Sequence, residues 1–170
     1  MKKRDIYKLL PEIKWIKDKK IREGVADTWL LAVKKGGWKK IDRIPFTLLI
    51  KTKKTLIEHT RCITRMAVAV ATVQKGFNFD VVVAGGLVHD VGKLLEYEKR
   101  GNKVVKSKYG ERIRHPVAGY ALALEAGLPL EIAHIIAAHS SEGEKVRRSR
   151  EAILINHCDF IDFDIAKADN

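Results

Sequence analysis

The sequence predicts an all-α fold, and three observations carry that expectation. Apolar residues recur at helical spacing in most segments of the 170-residue chain. Helix-start residues stand ahead of these stretches, and Gly or Pro punctuates them. No segment demands a sheet, because no run alternates apolar and polar residues for long enough.

Taken in order, "RDIYKLLPEIKWIKDKK" reads as a first helix interrupted by Pro11. "REGVADTWLLAVKKGGW" places Val25, Trp29, Leu30 and Val33 at helical spacing and stops at Gly36-Gly37. "TLIEHTRCITRMAVAVATVQKGF" opens with the capping-box pair Thr55 and Glu58 and stops at Gly76. Its Leu56, Ile63, Met66 and Val70 share a face with His59. Asp80 is positioned to cap "VVVAGGLVHD". The three valines also suit a strand, but the small Ala-Gly-Gly that follows suits tight helix packing. Residues 95–114 are polar with Gly breaks and read as a loop with room for a short hairpin. Pro116 and Pro129 each start a helix as a first-turn proline. Ser149 caps the last helix, "REAILINHCDFIDF".

The length fits one domain with a hydrophobic core, and hydrophobic residues make up 46% of the chain. No apolar run approaches a membrane span, and "MKKRDIYKLLPEIKW" lacks the apolar region of a secretory signal, so a cytoplasmic location without membrane contact is expected. Cys62 and Cys158 have no metal-type spacing and read as free buried thiols. The net charge of +12 is uneven: residues 1–54 hold 17 Lys+Arg against 6 Asp+Glu, and the remainder is nearly balanced. A basic third attracts polyanions such as RNA. It equally describes a solvated lysine-rich surface. The single glutamine, Gln74, among many Lys, Arg and Glu matches a hyperthermophile surface and favours the solvated reading.

One set of polar residues does not fit a plain bundle. His59 lies inside a long helix, His89 and Asp90 end the next, His115 precedes one, His139 ends another, and Asp159 lies inside the last. Each sits where an apolar stripe meets a polar residue, and burying such groups unpaired is costly. Ligands drawn from facing helices are what a metal cage in a bundle core requires. Imidazole with carboxylate suits Mn, Fe, Co, Ni or Zn. Adjacent helical residues point about 100° apart. His89 and Asp90 therefore share a site only at a helix end or with Asp90 bridging two ions, and Gly92 supplies the break. The plainer readings stay open at this level: core histidines, a capped Asp159, and Lys93 on the surface. His134 falls on another helical face and reads as structural, and His157 receives no role.

The ordered series His59, "HDVGK" (residues 89–93), His115, His139 and Asp159 resembles the HD phosphohydrolase superfamily over roughly residues 55–164. "GGLVHDVGKLLEYE", "RHPVAGYALALEAGLP", "IIAAHSSEG" and "INHCDFIDF" carry the likeness. It implies an HD helical bundle over residues 55–170, with residues 1–54 as a basic helical extension packed on it. It implies a metal-dependent phosphohydrolase with His59, His89, Asp90 and Asp159 as core ligands. In the branch with two further histidines, His115 and His139 hold a second ion and Asp90 bridges. With one ion, His115 and His139 contact phosphate instead. The "GYP" residues do not follow Gly92-Lys93, so the cyclic-di-GMP activity of the HD-GYP branch does not transfer.

The same likeness gives Lys93 the role of neutralising charge on the reacting phosphate, beside Asp90. Arg112 and Arg114 are candidate phosphate clamps by charge and proximity to His115. Glu58 is either a capping residue or a support for His59. The expected substrate is a phosphorylated, nucleotide-like small molecule, with a phosphodiester or cyclic phosphate for two ions and a nucleotide monoester for one. The alternative is an RNA-binding or RNA-processing protein that uses the basic third. Trp29, Trp38 and Tyr109 are candidates for stacking on a base, with Trp29 better placed as core. Nothing in the sequence specifies an oligomeric state.

Overall fold

The computed structural model describes residues 1–169. The helices are α1 (Lys3–Leu9), α2 (Lys19–Lys35), α3 (Leu56–Val73), α4 (Phe79–Val88), α5 (Lys93–Glu96), α6 (His115–Glu125), α7 (Leu130–Ala138) and α8 (Arg150–Ala168). Short 3-10 turns occupy Pro11–Trp15 and Ser141–Lys145. The described residues contain one sheet, the antiparallel hairpin β1 (Tyr97–Arg100) and β2 (Lys103–Lys106), with Tyr97 opposite Lys106. The fold is all-α apart from this hairpin, which lies inside the stretch read as a loop.

Helix α4 is the axis of the bundle. Its residues Val81 to Val88 are all buried, so it is apolar on every face, as a central helix is. It packs against α2, α3, α7 and α8. Gly86 lets α3 approach: a Cβ there would lie 3.0 Å from the Cα of Thr64. The small residues do permit the tight packing expected of them.

The caps explain the helix starts. Glu58 N donates to Thr55 Oγ1 at 3.2 Å, and Thr55 N donates to Glu58 Oε2 at 2.8 Å, closing the capping box of α3. Ser149 Oγ accepts from Ala152 N at the start of α8. The cap of α4 differs from expectation. Asn78, not Asp80, accepts from Val81 N, because the helix begins two residues earlier. Asp80 then lies in the first turn and accepts from Lys17 N and Asp18 N at 2.9 and 2.8 Å, tying the approach to α2 onto α4. A second difference is Val70, which is exposed. Helix α3 has no buried residue after Ala67, so its last turns outrun the neighbours that cover Leu56 and Ile63.

The basic third shares this core. Ile6, Leu10, Ile13, Ile16, Val25 and Trp29 belong to one buried cluster with α4, α7 and α8. Trp29 is fully buried, and its Nε1 donates to Leu87 O at 2.9 Å. Trp29→Ala is expected to lower the unfolding free energy by about 3–5 kcal/mol, readable by urea denaturation. A loss below about 1 kcal/mol would mean that residues 1–54 are not integral to the core. Cys62 and Cys158 are free thiols, Cys158 being buried. Among the described residues, no helix is long and apolar enough to cross a membrane.

Candidate metal centre

Five elements deliver the six side chains expected to converge. His59 projects from the start of α3, just after its first turn, and His89 forms the C-cap of α4. The chain turns through Asp90, Val91 and Gly92 before α5. His115 opens α6, His139 caps α7, and Asp159 lies within α8. The turn is possible because residue 92 is glycine. A Cβ there would lie 2.0 Å from His115 O and 2.6 Å from Gly119 N, so the backbone of the turn rests directly on the start of α6. That contact brings His115 beside Asp90.

Every histidine in the cluster has its Nδ1 held by an acceptor. His59 Nδ1 meets Asp162 Oδ2 at 2.7 Å, and His115 Nδ1 meets Glu96 Oε2 at 2.8 Å. His89 Nδ1 meets Gly86 O at 2.8 Å, and His139 Nδ1 meets Ile136 O at 2.7 Å. An oxygen acceptor requires the proton on Nδ1, which leaves the Nε2 lone pair for coordination in the neutral ring. The Nε2 atoms turn inward on Asp90. Those of His59 and His89 lie 3.4 and 3.5 Å from Oδ2, and those of His115 and His139 lie 3.2 and 3.6 Å from Oδ1. Asp159 Oδ1 is 3.1 Å from His59 Nε2.

Two ligand-like groups result: His59, His89 and Asp159 in one, and Asp90, His115 and His139 in the other. Within each, the donor atoms lie within 4.8 Å of one another.

These residues fit divalent cations. Asp90 Oδ1 and His139 Nε2 are fully buried and have no hydrogen-bond partner, a cost that coordination would remove. His59 Nε2 and His89 Nε2 stand 3.2 Å apart, close enough to share one ion. The surrounding carboxylates favour a positive charge at this position. Burial opposes charge on His59, but Asp159, Asp162 and Asp90 outweigh it and raise its pKa to about 10. Burial pushes Asp159 up, yet its hydrogen bond with His59 and the charge of His89 bring it down to about 2. Asp90 is likewise held well below the usual range: burial opposes ionisation, and Lys93 and His89 overcome it.

Residues 56–164 match the family model of the HD domain, nearly two thirds of the chain. The chain belongs to the HD domain family. The likeness that the sequence carries is thereby confirmed. A curated HD relative is the dihydroneopterin 2′,3′-cyclic phosphate phosphodiesterase of Methanocaldococcus jannaschii, 28% identical over 113 residues. The match covers 63% of this chain and 45% of the relative, so the chain spans about half of that protein's length. No solved structure matches the chain.

Around the HD cluster stands a further layer of residues, of which sequence reasoning named only Lys93. Asp162 orients His59 and is ion-paired with Lys54. Glu96 holds His115 through both its backbone N–H, at 2.6 Å, and its ring. Asn156 Nδ2 donates to His139 O at 2.6 Å. Lys93 Nζ donates to Asp90 Oδ2 and to Phe46 O, each at 2.6 Å. The Phe46 ring stacks on His59 with centroids 4.7 Å apart. Asp162 lies one turn after Asp159 on the same helix, and Glu96 one turn after Lys93, so helical spacing was a usable signal for both. Phe46 and Lys54 had no such signal, because they reach the cluster across long sequence separations.

A cavity of about 510 Å³ opens on the cluster and is lined by Lys93, His115 and Asp159 among others. Of the two arginines expected near phosphate, the structure brings only Arg114 to this cavity, where it also pairs with Glu142 at 3.0 Å. Arg112 is exposed and lines a separate surface cavity with Arg100, Lys108 and Tyr109. Glu58 is engaged in its capping box. Trp38 Nε1 donates to Leu94 O, and neither Trp38 nor Tyr109 lines the site cavity. His134 accepts from Ser149 N in a structural role, and His157 is exposed.

Proposed function

We propose that the protein is a two-metal phosphodiesterase acting on small, nucleotide-like phosphodiesters or cyclic phosphates. One observation carries the reading: Asp90 turns Oδ2 towards one ligand group and Oδ1 towards the other. A carboxylate so placed is a bridge. His59, His89 and Asp159 would hold one ion and His115 and His139 the other, with Asp90 shared. The donor set of imidazole and carboxylate suits Mn, Fe, Co, Ni or Zn. Bound there, divalent ions polarise phosphate oxygens and acidify a water. The activity for which the relative is named, on a cyclic phosphate, supports the same class of bond.

The chain's own residues supply the rest. Glu96 and Asp162 fix the ring planes of His115 and His59 and increase their basicity as ligands. Lys93 spends two of its three N–H donors on Asp90 and Phe46 and lines the cavity, so one donor is left for a phosphate oxygen. Its fixed charge serves the oxygens on which negative charge accumulates in the transition state. Arg114 adds a cation to the same cavity.

Lys93→Ala is expected to keep its metal and lose about 10²–10³-fold in turnover, the usual loss for one preorganised donor. An unchanged rate would remove Lys93 from the mechanism. The reading itself is tested by assaying metal-loaded protein on cyclic nucleotides, linear phosphodiesters and nucleotide monoesters. Preference for diesters is expected. Activity confined to monoesters would favour a single ion, with His115 and His139 on phosphate.

A second reading, RNA processing, has one observation of its own. A cavity of about 980 Å³ between residues 37–44 and the hairpin is lined by Lys39, Lys40, Arg43 and Lys99 against Asp42 alone. RNA binding that weakens steeply with salt would support it. Absent binding would leave those lysines as a solvated surface.

A further inference from the structure

The proposed activity leaves open what part of a substrate occupies the rest of the site cavity. One wall of it is apolar: Phe46, Leu48 and Leu49 from the loop between α2 and α3, and Phe160 and Phe163 from α8, with Thr47, Ser140 and Ser141 among the polar lining. Three of these apolar side chains are open to solvent, Leu49 at 78%, Phe160 at 45% and Leu48 at 39%. Lys93, Lys106 and Arg114 line the same cavity. Aromatic faces beside cations and metal ligands match a molecule with a flat ring at one end and a phosphate at the other.

The apolar wall is held in register with the cluster. Pro45 and Thr55 form an antiparallel bridge that closes the loop, and Phe46 N donates to Lys54 O at 3.2 Å. Leu49 N donates to Thr47 Oγ1 at 3.1 Å. Phe46 stacks on His59, and Phe163 meets Phe46 edge-on at 6.2 Å between centroids. The loop's two inner anchors are the Phe46 carbonyl on Lys93 and Lys54 on Asp162. All of the loop's cavity-lining residues precede the stretch matched by the family model, residues 56–164.

We infer that the Phe46–Leu49 loop, with Phe160, forms a subsite for the planar heteroaromatic ring of the substrate and sets specificity for ring-bearing phosphates. This rests on the phosphodiesterase reading for where the phosphate goes. The HD stretch supplies the ligands for chemistry, and the preceding loop supplies most of the ring's surroundings. The cavity volume suits one nucleotide-sized molecule.

The test is calorimetric binding to the full-length protein. Adenosine 3′-monophosphate and neopterin monophosphate are compared with ring-less glycerol 2-phosphate. At least one ring-bearing ligand is expected to bind about tenfold or more tightly than glycerol 2-phosphate, in line with the worth of one stacked base. Phe160→Ala is expected to erase most of that preference and leave glycerol 2-phosphate unchanged. Leu49→Ala, at a largely exposed position, is the second variant and is expected to reduce the preference without affecting folding. Equal binding of all three ligands by the wild-type protein overturns the inference. So does a preference that survives both substitutions. A ring preference without hydrolysis of any phosphodiester sinks the proposed activity and leaves the subsite standing. Hydrolysis without a ring preference does the reverse.

Discussion

Asp90→Ala is expected to lose both ions and all phosphodiesterase activity, and to destabilise the fold as well. Among the described residues, its carboxylate turns one oxygen to each of the two ligand groups. It is also the acceptor for the buried Lys93 ammonium. Removing one partner of a buried pair leaves an uncompensated charge and costs about 3–5 kcal/mol. Asp90→Asn separates the two effects, since an amide oxygen can still accept from Lys93 while the bridging charge is gone. The asparagine variant should fold, retain less than the wild-type metal content and show activity at background. Full metal retention in that variant, measured by elemental analysis beside a denaturation curve, would rule Asp90 out as the bridge.

Gly92→Ala is expected to have a large effect on the fold for a single added methyl group. Its Cβ would stand 2.0 Å from a backbone oxygen and 2.6 Å from a backbone nitrogen of α6, neither of which can swing aside. The cost should reach or exceed about 3 kcal/mol, the upper end of ordinary overpacking. Metal binding should fall with it, because the same displacement separates His115 from Asp90. Gly101→Ala is the control. It sits at the hairpin tip with φ of 60° and has nothing within 4 Å of an added Cβ, so it carries only the backbone penalty of about 1–2 kcal/mol. Equal losses in the two variants, by thermal or urea denaturation, would show that the close approach at residue 92 is not what positions α6.

Local signals read well in this sequence, and long-range ones did not. The Thr55–Glu58 box and the Ser149 cap are contacts within three residues, and both occur as read. "NFD" before the valines offered two caps two residues apart, Asn78 and Asp80. Only tertiary structure shows that Asp80 is engaged with the backbone of Lys17 and Asp18. The convergence of His59, His89, Asp90, His115, His139 and Asp159 was legible only in part from polar residues interrupting apolar stripes, where burial is costly, and otherwise from the resemblance to the HD series. The second layer was half legible: Asp162 and Glu96 follow their neighbours by one helical turn. Phe46 and Lys54 were read only as part of a basic extension. Their contacts with Lys93 and Asp162 depend on how that segment folds back over the bundle. The basic third, expected as an extension packed on the bundle, places its apolar residues in the common core and most of its lysines at the surface.

The central claim is a two-ion centre shared through Asp90, and metal content per chain tests it most directly. The protein is purified without chelators or added metal, analysed by elemental mass spectrometry, and analysed again after reconstitution. The account predicts close to two divalent ions per chain. A value that stays near one contradicts the bridge and turns the substrate search to monoesters. A value that stays near zero contradicts the metal centre itself.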